Sequence, residues 1–387
     1  MKKNYDYIIT GAGCAGLSLL YRLLQDPYFL SKKILVIDAA LKNSNDRTWC
    51  FWEKEPDIFE SIVFHRWNSL AFYSSNYTGD LQINPYTYKM IRGIDFYEFI
   101  KSTAAAFSNI EWKQARVKAL INNTDMGLAG VELEDEMVYA ETVFNSILFE
   151  PIQPKKNEFY FLQHFKGWEI ETVEPVFDAS KATFMDFRVS QQVGTNFIYV
   201  LPTSATTALV EYTLFTEKLL APADYDTALK KYISEFMQIT DYTVKHEEFG
   251  IIPMTNTRFP RVEGRIVYIG IAGGAAKAST GYAFKFIQQR TKAIVAALKK
   301  GESVSVLASF KQRKGNLYDG VLLHVLHHNY MRGDEIFAAI FKRNKASDVL
   351  RFLDDEGSLY TDLKIMRSVP TAVFLPAAMK ELVKTIL

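Results

Sequence analysis

The stretch Gly11-Ala12-Gly13-Cys14-Ala15-Gly16 constrains this chain more than any other. Apolar, β-prone Tyr7-Ile8-Ile9 leads into it, and Leu17 to Leu24 follows with helical apolar spacing. A second short apolar run, Ile34-Leu35-Val36-Ile37, ends on Asp38. Strand, glycine turn, helix, strand and acid make one βαβ unit with the dinucleotide-binding fingerprint. Gly11 permits the tight turn, Gly13 lets the backbone approach a pyrophosphate, and Gly16 lets helix pack close on strand. Ala12, Cys14 and Ala15 fill the positions between, where a helix N-terminus offers free N–H groups to phosphate. Asp38 stands 22 residues past Gly16, where a ribose-hydroxyl acceptor belongs.

With 387 residues the chain can bury a large core, and two subdomains are expected. A net charge of +1 leaves no basic excess that would argue for nucleic acid. Cys14 and Cys50 are too few for a disulfide framework, and no Cys/His cluster has zinc spacing. His324, His327 and His328 lack a carboxylate set and read as one helix face, so no metal is expected. A reducing cytoplasm is the expected compartment. Met1-Lys2-Lys3 before an apolar run superficially resembles a signal peptide. Asp6 and the glycines interrupt that run, and cleavage would destroy the fingerprint, so the reading is rejected. No stretch reaches the roughly 18 apolar residues of a membrane span.

After Asp38 comes Asp46-Arg47-Thr48-Trp49-Cys50-Phe51-Trp52, which is not generic loop composition. It reads either as a salt-bridged cover on the fold or as a neighbour of the dinucleotide, with Arg47 a candidate contact. Alternation from Trp67 to Ile83, from Val117 to Val143 and from Phe159 to Val200 predicts antiparallel strands, with Asn122-Asn123-Thr124-Asp125 as a turn. Arg92 sits where a strand passes into a helix; it either reaches a bound cofactor or pairs with Asp95. Glu211 lies on a strand whose parity places Leu209 and Thr213 on its own face. Facing the interior, it would be a protonated acid suited to proton donation; facing solvent, it would be an ordinary strand residue.

Further on, Arg265 to Gly270 reads as a buried strand, followed by small residues through Gly273, Thr280, Gly281 and Tyr282, then a helix from Phe284 to Lys299. This second close-approach loop, paired with the fingerprint, is the two-contact pattern of folds that bind FAD in extended form. The fold class is therefore α/β: a Rossmann-type FAD-binding fold interleaved with an antiparallel-sheet substrate domain and a helical C-terminal part. The expected division is 1–60, 88–150 and 262–300 for the FAD lobe, 61–87 and 151–261 for the sheet lobe, and 301–387 for the helices.

With those stretches in view, the chain closely resembles the lycopene cyclases of carotenoid biosynthesis over nearly its full length. The resemblance is carried by Gly11 to Gly16, the Asp46 to Trp52 block, Gln163-His164-Phe165-Lys166-Gly167-Trp168 and Met185-Asp186-Phe187-Arg188. It continues in Tyr199-Val200-Leu201-Pro202, Val210-Glu211-Tyr212-Thr213, Gly250-Ile251-Ile252-Pro253-Met254 and Ser279-Thr280-Gly281-Tyr282. In that family the block at Val210 to Thr213 usually carries two consecutive acids, the first needed for catalysis, and Glu211 matches the first. Tyr212 stands where the second is usual, which weakens a two-carboxylate mechanism. Ile271 follows Gly270 where many flavoproteins carry an Asp to a ribityl hydroxyl.

The resemblance implies non-redox cyclisation of the ends of lycopene to β-ionone rings, giving β-carotene by way of γ-carotene. Glu211 would be the acid, reduced FAD would stabilise the carbocation, and NADPH would serve as reductant. Aromatic residues make up 14% of the chain, and beyond the core some would line the apolar cleft or face the cation, Trp49 and Trp52 among them. Lycopene and other acyclic carotenoids dissolve in membranes. A cytoplasmic protein peripherally associated with the inner face of the cell membrane is therefore expected; Leu375 to Leu387 is a candidate docking element, although its apolar residues more readily pack against the protein's own fold. A redox flavoenzyme of the same fold, a polyprenyl reductase or monooxygenase, is the alternative.

Overall fold

The computed structural model describes residues 4–123, 127–304 and 310–386. Met1 to Lys3, Thr124 and Asp125 of the expected turn, and Leu387 lie outside the described residues.

Strand Asn4–Thr10 runs into the glycine turn, helix Cys14–Leu24 returns over it, and strand Ile34–Asp38 lies parallel to the first. The apolar spacing of the helix buries Leu17, Leu19, Leu20 and Leu23 completely. Each such burial stabilises by roughly 1.5–3 kcal/mol. The parallel sheet extends through Ile110–Gln114 on one side and through Met137–Asn145 and Ile266–Tyr268 on the other. The last strand is shorter than its apolar run, because the chain turns at Gly270, where φ is +59°. Helix Phe284–Lys299 packs along Cys14–Leu24, and Gln288 Nε2 donates to Ser18 Oγ at 2.9 Å.

A second sheet of seven strands runs in the order Tyr242–Thr255, Tyr160–Thr172, Thr207–Thr216, Thr195–Pro202, Lys181–Asp186, Ser69–Tyr73 and Thr78–Gln82. Helix Pro222–Glu235 covers one face, burying Ile198, Val200, Val210 and Tyr212. The other face meets the C-terminal helices, burying Phe197, Tyr199, Leu209 and Phe215 among aromatic rings. Thr195–Pro202 is buried along its whole length, since layers on both faces erase the polar half of the alternation. A small antiparallel sheet of Thr48–Glu53, Thr87–Arg92 and His65–Trp67 lies between the two lobes in the chain's path.

Helices Phe310–His327, Gly333–Arg343, Ala346–Leu353, Leu359–Met366 and Thr371–Ile386 complete the chain. Buried Lys277, in the small-residue loop, pairs at 2.8 Å with both Asp319 and Asp355 and so ties that loop to the helices. None of the helices among the described residues is long and apolar enough to cross a membrane.

Candidate active site

The glycine fingerprint forms a cradle at the end of the parallel sheet. Gly11 has φ +93°, and a Cβ there would lie 2.2 Å from Ser146 Oγ. A Cβ on Gly16 would come within 2.0 Å of Gly11 O, whereas one on Gly13 would meet nothing within 4 Å. The open space is thus at Gly13, beside the first turn of Cys14–Leu24, which carries no side-chain cap. Gly270 approaches the same turn, since its Cβ would lie 2.9 Å from Ala15 Cβ, and Gly273 closes back on Tyr268 O. Asp38 accepts from Ala12 N–H at 2.6 Å and from Ala40 N–H at 2.7 Å, so it shapes the turn while remaining partly exposed. Ala12 and Cys14 are buried; burial pushes the Cys14 thiol up to about 12.

Arg47 donates to Asp46 O at 2.8 Å and Phe249 O at 2.9 Å. Arg92 is engaged bidentately by Asp95 at 2.7 and 2.8 Å and lies 3.9 Å over the Phe64 ring. The ion pair expected of Arg92 is thus present, with Nε and Nη2 turned to Asp95. The block from Asp46 to Trp52 does more than cover the fold. His246 Nε2 bonds Asn45 O at 2.7 Å, and Thr48 Oγ1 donates to Glu248 Oε2 at 2.7 Å, so the block is strapped to strand Tyr242–Thr255. Its parity also divides the tryptophans: Trp49 packs with Phe96 in the nucleotide-side core, while Trp52 joins the sheet-side core.

Strand Tyr160–Thr172 pairs with Thr207–Thr216 on one side and Tyr242–Thr255 on the other. In that register Gly167 stands opposite both Glu211 and Glu248, and Tyr199 stands opposite Glu211 across the next strand. Glu248, Gly167, Glu211 and Tyr199 therefore form one row on one face of the sheet. Gly167 leaves a gap in the row: a Cβ there would lie 3.0 Å from Glu248 Cγ and 3.4 Å from Glu248 Oε1. Across that gap the two carboxyls lie close enough for each to act on the other's proton. Thr213 Oγ1 donates to Glu211 Oε1 at 2.7 Å. Glu248 is buried, its Oε2 accepts from Thr48, and its Oε1 has no hydrogen-bond donor.

Glu211 keeps some accessible surface yet is closely surrounded by neighbouring atoms. Burial, and then the Glu248 carboxyl, raise its pKa well above the usual carboxylate range. Burial raises that of Glu248 too, against the pull of Thr48 and Glu211. Two carboxyls in contact in such a place retain one proton between them near neutrality. Tyr212, where a second consecutive acid was expected to matter, points to the opposite face and is buried beneath helix Pro222–Glu235. The second carboxylate comes instead from a different strand. Sequence reading missed Glu248 because the register that places it is long-range; its one local signal was an acid directly before the Phe249 to Met254 apolar run.

Aromatic groups enclose the pair. Tyr199 and Tyr282 hydroxyls lie 3.1 Å apart, Trp52 meets Tyr282 edge-on at 4.8 Å, and Cys50 is held by Tyr88. Tyr282 belongs to the small-residue loop, whose Gly281 has φ +71° and whose missing Cβ would sit 1.9 Å from Gln163 Oε1. The loop thus brings the parallel-sheet side against the acid-bearing sheet. There Gln163 Oε1 and Thr280 Oγ1 are buried without hydrogen-bond partners. A polar ring bearing both N–H and carbonyl groups would satisfy them, and the isoalloxazine of FAD is such a ring. Gly13, Gly270 and the orphaned pair therefore suit FAD, although Ile271 offers no acceptor to a ribityl hydroxyl.

The sequence matches the model of the family described as lycopene cyclase protein over residues 6–379. The chain belongs to that family. A lycopene beta-cyclase from Pantoea ananas is 27% identical over 263 residues, covering 66% of this chain and 64% of that relative. One from Pseudescherichia vulneris is 23% identical over 267 residues, covering 65% and 62%. The chain thus spans less than two thirds of these curated relatives' lengths. The fold is shared with a flavoprotein/dehydrogenase from Cytophaga hutchinsonii (TM-score 0.66, 12% identity, 99% and 100% of the two chains). It is shared equally with a geranylgeranyl bacteriochlorophyll reductase-like protein from Thermoplasma acidophilum (TM-score 0.64, 14% identity, 99% of both chains). These cyclase-family features sit on a flavoprotein-type α/β architecture, as the glycine pattern predicted.

Proposed function

We propose that the protein is a lycopene cyclase that closes the acyclic ends of lycopene to β-ionone rings by acid-initiated isomerisation. The observation that carries this reading is the Glu211–Glu248 carboxyl pair, buried beside an aromatic wall in a chain of the lycopene cyclase family. The substrate is a hydrocarbon with no polar handle, so its affinity comes from apolar surface and its reaction from one placed proton.

Glu211, protonated, delivers that proton to the terminal double bond and leaves a tertiary cation. The neighbouring double bond attacks the cation and closes a six-membered ring. A ring proton is then lost to the carboxylate of the pair, so one proton is given and one returned and the product is isomeric with the substrate. Glu248 holds its neighbour's proton in place between turnovers. Trp52, Tyr88 and Tyr282 exclude water that would quench the cation and present ring faces to it. FAD would be held by Gly11 to Gly16, Asp38, Gly270, Gly273, Thr280 and Gly281; in reduced form, with NADPH as reductant, it would supply negative charge to stabilise the cation. Because the substrate dissolves in lipid, we place the protein at the cytoplasmic membrane surface.

The test is anaerobic incubation with lycopene, FAD and NADPH in deuterated buffer, read by mass and absorption. One deuterium per new ring in an otherwise isomeric product supports the reading and counts the rings. Product gaining hydrogens or oxygen, with stoichiometric NADPH consumption, overturns it in favour of a reductase or monooxygenase.

A further inference from the structure

The C-terminal helix Thr371–Ile386 is amphipathic in the reverse of the usual sense. It turns Ala377 and Glu381 inward, both about 5% exposed or less, and leaves Leu375, Met379, Leu382 and Val383 at 47–62%. Those four positions recur at helical spacing along one side, and Lys380 stands among them without a partner among the described residues. An apolar face bordered by lysine is unsuited to water and suited to a lipid interface.

Beside this face lies a cleft of about 550 Å³ between the helix, the end of Phe310–His327 and the segment around Lys156. Its floor is His324, only 3% exposed, whose Nδ1 bonds Glu381 Oε1 at 3.0 Å. The carboxylate partner makes Nδ1 the donor, so Nε2 is an acceptor, and Nε2 is buried with no partner. The rim carries Lys156 and Lys380, and Met379 and Val383 line it on the helix side. The acid in the lining, Glu158, is turned to Lys155 N–H at 2.9 Å and Thr257 Oγ1 at 3.0 Å. Cationic rim, buried acceptor and apolar lip match a phosphate, a hydroxyl and acyl chains in that order.

We infer that this cleft takes the headgroup of an anionic phospholipid bearing a free hydroxyl, phosphatidylglycerol being the simplest, while the exposed face of Thr371–Ile386 rests in the acyl boundary. The headgroup phosphate lies between Lys156 and Lys380, and its hydroxyl donates to His324 Nε2. Lysines beside an apolar lip, over a buried unpaired acceptor, favour this occupant over a protein partner. The inference rests on the reading of the substrate as a membrane-dissolved polyene, and it says where the protein meets that membrane.

The test is sedimentation of the FAD-loaded full chain, without carotenoid, with vesicles of phosphatidylglycerol, phosphatidylmethanol or phosphatidylcholine. Cyclisation in detergent micelles is measured separately, so failure of the docking site and failure of the cyclase reading are distinguishable. Binding to phosphatidylglycerol is expected to exceed that to phosphatidylcholine. Lys156→Ala/Lys380→Ala should weaken it about 25-fold, from roughly fivefold per lysine near an anionic surface. Met379→Ser/Val383→Ser should release the protein from every vesicle, and both pairs should keep micellar activity. Phosphatidylmethanol, of equal charge but without a hydrogen-bond donor in its headgroup, should bind a few-fold more weakly than phosphatidylglycerol; equality would overturn the hydroxyl contact. Equal binding to all three vesicles, unchanged binding of the lysine pair, or release by millimolar inorganic phosphate would overturn the lipid site.

Discussion

Glu211 and Glu248 stand on strands that never pair with each other, yet their carboxyls meet over Gly167 on the strand between. The contact exists because the central position has no side chain. In the proposed cyclisation, one proton held between these two acids is what protonates the alkene.

Replacing Glu211 by Gln keeps shape and hydrogen bonding but removes the transferable proton. Cyclisation should fall by about 10²–10⁴-fold, the usual contribution of a placed general acid. FAD retention and thermal unfolding should barely change, as absorption and calorimetry would report. Activity within tenfold of the parent would remove Glu211 from its role.

Glu248→Gln tests the partner through pH. In the proposed mechanism the protonated form of Glu211 is the active one, so activity should fall as pH rises through its raised pKa. Glu248 is a cause of that elevation after burial, so its removal should move the alkaline limb to lower pH. Stability should show the matching sign. The native pair holds its proton above the pH where an unfolded glutamate, with pKa about 4.3, releases it, so stability should decline as pH rises through that window. The double Gln variant should lose that decline. An unmoved limb in Glu248→Gln would mean that the two acids titrate independently.

Gly167→Ala places a methyl 3.0 Å from both Glu248 Cγ and Leu209 Cδ1. Overpacking of this kind costs roughly 1–3 kcal/mol. Cyclisation should suffer more than stability, because the methyl parts the carboxyls. Parental turnover together with parental thermal stability in this variant would contradict the described register.

Gly16→Ala drives a Cβ to within 2.0 Å of Gly11 O. The turn cannot close around the added atom, so flavin should be lost on gel filtration. The Gly13 position, which is open, should tolerate Ala sterically and lose affinity only through crowding of the ligand. A Gly16→Ala protein that keeps its flavin absorbance would disprove this account of the cradle.

Lys277→Met leaves Asp319 and Asp355 facing each other without their shared cation. Breaking a buried ion pair on one side destabilises by roughly 3–5 kcal/mol. Chemical denaturation should show that loss. Addition of Asp319→Asn and Asp355→Asn should recover a good part of it, since the repulsion goes with the charges.

The parallel-sheet half of this protein was written in a local pattern. Gly11, Gly13 and Gly16 act within six residues of one another, and the apolar spacing of Leu17 to Leu24 specifies its helix without distant help. The second loop through Gly270 and Gly281 was legible for the same reason, as was the interior-compatible parity of Glu211. Whether that face was interior depended on layers contributed by segments far along the chain. Arg92 held both of its readings until Asp95 was seen to engage it. Tyr212 looked like a defect in a two-acid site, but adjacent strand residues point to opposite faces, so that position could never have joined Glu211 in this sheet. The partner acid arrived through register, with strands Thr207–Thr216 and Tyr242–Thr255 flanking Tyr160–Thr172. Sequence alone determined the turn chemistry and the helix and strand periods, because those are set by neighbours in the chain. Tertiary structure alone decided which carboxyls share a proton, because that depends on strand order and on the missing side chain of Gly167.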